Sequence, residues 1–203
     1  MNIAWYFDVI SPFAHLALPR VMALGRPVTL RPALFAGLLA HWGQLGPAEI
    51  VPKRLHTYRL VQFQSEQAGR PMRFPPAHPF RSLEAMRLLT ALDGAPEAVQ
   101  AAFDFIWSEG RDPSMEFAAL RERLPHVSDS AMLAAKDRLR DATSAAAEAG
   151  VFGVPTLTID GELFWGVDAM PMAEAFLADP ALLTRGEMAR IATLPIGTAR
   201  RTG

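Results

Sequence analysis

The chain has 203 residues, with 20 Lys and Arg against 21 Asp and Glu, half of all residues hydrophobic and no cysteine. So balanced a charge excludes the basic surface that nucleic acid or an acidic membrane would require, and the pair Arg200-Arg201 is too short to act as a basic tail. Without cysteine there is no disulfide, thiolate zinc site or thiol–disulfide oxidoreductase chemistry of the chain's own. Met1 to Asp8 lacks a secretory signal pattern, and no stretch approaches the roughly 18 apolar residues of a membrane helix. A cytoplasmic location is expected.

Ile3 to Val9 (IAWYFDV) is short, aromatic and β-branched, and predicts a buried strand stopped by Ser11-Pro12. Ser11 can cap a helix with Pro12 in its first position, where proline's missing donor costs nothing. That helix carries Leu16, Leu18, Val21 and Met22 and ends near Gly25; Val28 to Arg31 follows as a second strand. The opening is a βαβ unit.

The middle reads as helical. Leu34 to Trp42 has loose helical spacing, Gly43 to Pro52 is loop-like, and Lys53 to Ala68 is a polar amphipathic helix. Gly69 to Phe80 holds four prolines and must be extended or turning. Helices follow over Ser82 to Leu92, Pro96 to Glu109, Met115 to Arg123 and Asp129 to Ala149, the last closed by Gly150. Strands return at Pro155 to Ile159 and Glu162 to Trp165 around an Asp160-Gly161 hairpin turn, and Asp168 to Leu177 makes a closing helix. The order βαβ, helices, ββα gives an α/β chain, divided into 1–34 with 146–203 and a helical insertion at 35–145. The tail from Asp179 onward carries no motif.

Two short constellations carry chemistry. In Phe7-Asp8-Val9-Ile10-Ser11-Pro12-Phe13 a strand ends, a hydroxyl is presented and a helix begins. Such a helix end carries about half a positive charge and favours an anion, a thiolate included. Read alone, Ser11 is a simple N-cap. In Gly150 to Thr156 the Val154-Pro155 bond is a candidate for the cis isomer, which would leave the Val154 backbone free to pair with an extended peptide; alone, it reads as an edge-strand entry. The five histidines show no metal spacing, and Ser11 sits in no G-x-S-x-G elbow. His15, one turn along the helix from Ser11, either flanks the site or packs. Trp42, Phe63, Phe74 and Trp107 are candidates for an aromatic-substrate wall or for plain core.

Taken together, YFDVISPFAHLA at 6–17, EGRDP at 109–113, GVFGVPTLTIDGELFWG at 150–166 and Asp168 resemble the 2-hydroxychromene-2-carboxylate isomerases, a DsbA-like branch of the thioredoxin superfamily related to the kappa-class glutathione transferases. The resemblance spans residues 3 to about 177. It implies a thioredoxin-like fold with a large helical insertion, a homodimer, and a glutathione-dependent cis–trans isomerase acting on an aromatic 2-oxo acid in aromatic catabolism. Glutathione would add to a conjugated carbon of the small aromatic substrate, permit rotation and be expelled. In that family the serine matching Ser11 contacts the glutathione sulfur, Val154 and Pro155 match the residues that bind its peptide backbone, and Trp165, Gly166, Val167 and Asp168 match the stretch that holds its γ-glutamyl end. Lys53 falls on a family lysine near the substrate. A hydroxyl donor at a positive helix end suits this role, since it would help ionise a thiol with a free pKa of about 8.5 to 9. The chain departs from the family at Val167 and Ala169, where Gln and Arg are common, and at Arg81, where asparagine is common. Kappa-like conjugation or peroxide reduction, and non-catalytic thiol or peptide binding, are the alternatives.

Overall fold

A computed structural model describes residues 1–198; Arg200 and Arg201 lie outside the described residues. Four strands, β1 (Ile3–Phe7), β2 (Thr29–Pro32), β3 (Thr156–Ile159) and β4 (Glu162–Trp165), form one sheet in the order β2-β1-β3-β4. β1 runs parallel to β2 and antiparallel to β3, and β3 antiparallel to β4. The period of two in IAWYF divides β1 between two packing faces. Ile3, Trp5 and Phe7 join the main core, where Phe103 lies 6.3 Å from the Trp5 ring and 5.9 Å from Phe7. Tyr6 faces a smaller cluster of Ala33, Leu38, Ala146, Ala147, Val151 and Val154.

β1 stops at Phe7, two residues short of the expected Val9, and Asp8 supplies the reason. Its carboxylate accepts from the backbone N–H of Ile10 at 3.0 Å and of Phe35 at 2.9 Å, turning the chain and tying it to α2 (Phe35–Trp42). After the turn comes α1 (Pro12–Met22), with Ser11 as N-cap and Pro12 in the first position. Pro19 lies inside α1 and removes the donor that the His15 carbonyl would otherwise have. Arg70 reaches across to that carbonyl at 3.4 Å.

Next come α3 (Val51–Gln67), α4 (Leu83–Ala91), α5 (Pro96–Phe103), α6 (Phe117–Arg123) and α7 (Asp129–Glu148). α3 begins two residues before the expected Lys53, with Pro52 in its first turn. α5 ends early in a π-helical turn over Asp104–Ser108, a wider winding that apolar periodicity does not distinguish from an α-helix. α7 crosses from the inserted helices into the C-terminal half and closes where Gly150 takes φ +87°.

Asp160 and Gly161 both have positive φ in the β3–β4 turn, as a tight hairpin requires. α8 (Met170–Ala178) starts two residues after Asp168, which is therefore not its cap; the cap position is Ala169. The tail supplies a short 3₁₀ turn (Pro180–Thr184) and α9 (Gly186–Ile191). Among the described residues no helix is long and apolar enough to cross a membrane.

Candidate functional site

Ser11 and Val154, separated by 143 positions in sequence, meet where the β1–α1 turn faces the turn into β3. The Ser11 Oγ accepts the Ala14 N–H at 3.3 Å and donates to the Val154 carbonyl at 3.4 Å, a long bond that leaves its proton weakly held. Both residues are buried, and the Val154–Pro155 peptide is cis. Among the described residues neither the Phe13 N–H, second in α1, nor the Val154 N–H meets an acceptor. A hydroxyl, a helix end and a free backbone donor therefore converge.

The segment 165–168 is drawn to the same place. The Gly166 N–H donates to the Pro155 carbonyl at 2.9 Å. Gly166 has φ +87°, and a Cβ on it would stand 2.5 Å from the Asp168 carboxylate, so the bend that carries Asp168 needs glycine. The exposed Trp165 ring packs on Phe152, 5.2 Å between centroids, and its Nε1 would be 2.7 Å from a Cβ on Gly153. Val167 is half-buried against the main core, while Asp168 is exposed. Hydrogen bonds and chain continuity thus link Ser11, Val154, Pro155, Trp165 and Gly166 in one series, with Asp168 two residues beyond Gly166. Lys53 is exposed in the first turn of α3.

The inserted helices close the site from the other side. The Trp107 Nε1 donates to the Val9 carbonyl at 2.8 Å and the His78 Nε2 to the Ile10 carbonyl at 2.9 Å. Tyr58 Oη lies 2.8 Å from His78 Nδ1 and donates to the His78 carbonyl at 2.6 Å. Phe74 packs edge-on to Trp107 at 5.3 Å and beside Tyr58 at 4.8 Å. Trp107 is completely buried, so it supports a wall and does not face a substrate. Phe63 and Trp42 are exposed, and Trp42 donates to the Val151 carbonyl at 3.0 Å. In the matched EGRDP segment, Glu109 pairs with Arg123 and Arg111 with Glu116, and Asp112 accepts from Ser114, so these residues hold a corner of the inserted helices.

Burial sets the electrostatics. Asp8 is pushed above the ordinary carboxylate range by desolvation, offset in part by the bonds from Phe35 and Ile10. Burial lowers His78, and its bond to Ile10 opposes that. His15 packs against Phe103, its Nδ1 has no partner, and burial together with the Arg70 charge lowers it to about 4. Of its two sequence readings, packing is the one the structure shows. Sequence reasoning passed over Tyr58, His78 and the role of Asp8. An acid directly after an apolar strand was a usable signal for Asp8; nothing local marks the other two.

This arrangement defines a thioredoxin-type scaffold that presents a serine hydroxyl at a helix N-terminus opposite a cis-proline turn. The family model of the DSBA-like thioredoxin domain matches residues 2–178. A 2-hydroxychromene-2-carboxylate isomerase of Pseudomonas putida is 31% identical over 191 residues, covering 86% of this chain and 93% of that protein. A solved 2-hydroxychromene-2-carboxylate isomerase superposes with a TM-score of 0.74 at 28% identity, over 89% of this chain and 96% of the other. Glutathione S-transferase kappa 1 of Rattus norvegicus is 27% identical over 205 residues, covering 86% of this chain and 89% of that protein. The chain belongs to the DSBA-like thioredoxin family, on the branch of the 2-hydroxychromene-2-carboxylate isomerases and their kappa-class relatives. Kinship at this level supports an isomerase-like enzyme.

Proposed function

We propose that the chain is a glutathione-dependent cis–trans isomerase acting on 2-hydroxychromene-2-carboxylate or a related aromatic 2-oxo acid. The observation that carries this reading is the Ser11 hydroxyl, 3.4 Å from the Val154 carbonyl at the N-terminus of α1. The residues fit glutathione on three counts: a weakly engaged hydroxyl, an unpaired Phe13 N–H at a positive helix end, and an unpaired Val154 N–H suited to a peptide backbone. Ser11 would hold the sulfur, Val154 and Pro155 the peptide backbone, and the segment from Trp165 to Asp168 the γ-glutamyl end, with the Asp168 carboxylate facing its ammonium. When bound, glutathione would supply a thiol able to add reversibly to a conjugated carbon.

The chain's own contributions are positional and electrostatic. The Ser11 O–H and the α1 N-terminus stabilise negative charge on sulfur, lowering the pH at which the thiol ionises. The two turns fix the direction from which the sulfur faces a substrate. Tyr58, Arg59 and Phe74, with Gln62, Phe63 and Glu66, line a shallow open groove whose aromatic rings would offer a stacking face to an aromatic substrate. A cytoplasmic homodimer belongs to the same reading.

The test is steady-state turnover of 2-hydroxychromene-2-carboxylate with and without glutathione. Ser11→Ala should lower glutathione-dependent kcat/KM by about a hundredfold, as loss of one charge-stabilising donor does in other enzymes. Unchanged turnover removes Ser11 from the role. Conjugation of chlorodinitrobenzene without isomerisation would move the protein to transferase chemistry.

A further inference from the structure

The peptide unit joining Ile10 to Ser11 is held at both ends. Its N–H donates to the Asp8 carbonyl at 3.0 Å, and its carbonyl accepts from His78 Nε2 at 2.9 Å. The preceding carbonyl, that of Val9, is held by Trp107. A peptide plane with both polar groups engaged cannot swing without breaking a hydrogen bond, and the swing of this plane sets φ of Ser11, here −86°. With that angle fixed, only the rotation about the Ser11 Cα–Cβ bond remains to aim Oγ. The side chains that hold the two carbonyls, His78 and Trp107, come from the proline-rich 69–80 segment and the inserted helices, far from Ser11 in sequence.

We propose that His78, steadied by Tyr58, is a positioning residue for the Ser11 hydroxyl, so that the helical insertion sets the aim of the thiol-binding group. The proposal rests on the assignment of Ser11 to the glutathione sulfur. Carbonyl oxygens only accept, so the bond to Ile10 assigns a proton to His78 Nε2. Nδ1 faces Tyr58 Oη, whose second contact is the His78 carbonyl, again acceptor only. When Nδ1 lacks a proton, Tyr58 has one hydrogen for two acceptors; when Nδ1 carries one, every contact is satisfied. The bond to Ile10 is made in both states, so the hold on Ser11 does not depend on the charge of the ring. The rings of Phe74, Phe80 and Trp107, centred 6.2, 5.8 and 5.4 Å from His78, keep the imidazole from turning.

Three measurements test this. In the unaltered protein, long-range ¹H–¹⁵N spectra of the imidazoles should show one ring protonated on Nε2 and slow to exchange, and it should vanish in His78→Phe. In His78→Phe, which keeps an aromatic ring but has no donor, the Ser11 amide should exchange with solvent about tenfold faster while amides of α7 do not change. Ultraviolet absorbance of bound glutathione thiolate should titrate about one pH unit higher in His78→Phe, with partial recovery in His78→Gln, whose amide can donate. Tyr58→Phe should produce a smaller shift in the same direction and covers the case in which His78→Phe does not fold. A ring protonated only on Nδ1, or an unchanged Ser11 exchange rate, overturns the proposal. If Ser11→Ala also leaves thiolate titration unaltered while the exchange result holds, the glutathione assignment fails and the clamp stands as a structural one only.

Discussion

Lowering the pH should cost this protein stability through its buried imidazoles, His78 and above all His15. His15 is 1% exposed, its Nδ1 has no partner and burial brings its pKa from 6.5 to about 4. Between those two values the unfolded chain holds a proton on the imidazole and the folded chain does not. Stability therefore falls as pH drops through the window, and the fall ends once the folded ring protonates below about 4. At 1.36 kcal/mol per pH unit the whole interval is worth about 3 kcal/mol, a large part of an ordinary domain's stability. Asp8 has the opposite sign, because its raised value keeps a proton in the folded state that the unfolded chain has already lost. Comparison with His15→Leu isolates the histidine, since every other group titrates in both proteins. Urea unfolding followed by circular dichroism at pH 7, 6, 5 and 4 should show the wild type losing about 3 kcal/mol relative to the variant. Parallel pH curves for the two proteins would mean that the ring is solvated or paired, and would refute the reasoning.

Two other outcomes are expected. In Gly94→Ala the new Cβ would lie 2.2 Å from the Leu30 carbonyl at φ +66°, whereas in Gly25→Ala, at φ +67°, it meets nothing within 4 Å. Thermal unfolding should give a loss above ~2 kcal/mol for the first and about 1 kcal/mol for the second; equal losses would mean that β2 yields. Gly153→Ala should displace the Trp165 ring, weakening glutathione binding about tenfold in calorimetry while stability changes by less than about 1 kcal/mol.

Much of the scaffold was readable because its signals are local. IAWYF followed by Ser-Pro, the Asp-Gly hairpin and Gly150 after α7 each state their structure within a few residues. Ser11 and Val154 could be paired in advance only through a family resemblance, since no periodicity links positions 143 apart. The errors fell where a tertiary contact or a backbone angle overrides local preference. Val9 looks like strand, yet Asp8 bonds Ile10 and Phe35 and ends β1 early. Asp168 looks like the first residue of the closing helix, yet the positive φ of Gly166 turns the chain first, α8 starts at Met170 and the carboxylate is left exposed. His78 and Tyr58 were illegible because their partner is a backbone carbonyl, which bears no residue identity.

The two hydrophobic clusters divide the site between them. Val9 and Ala14, on either side of Ser11, belong to the main core, whereas Val154 belongs to the smaller cluster with Ala33, Leu38, Val151 and the α7 alanines Ala146 and Ala147. The hydrogen bond from the Ser11 hydroxyl to the Val154 carbonyl therefore crosses a seam between two hydrophobic clusters. A molecule lying along that seam would act as a rivet, adding contacts to each cluster at once.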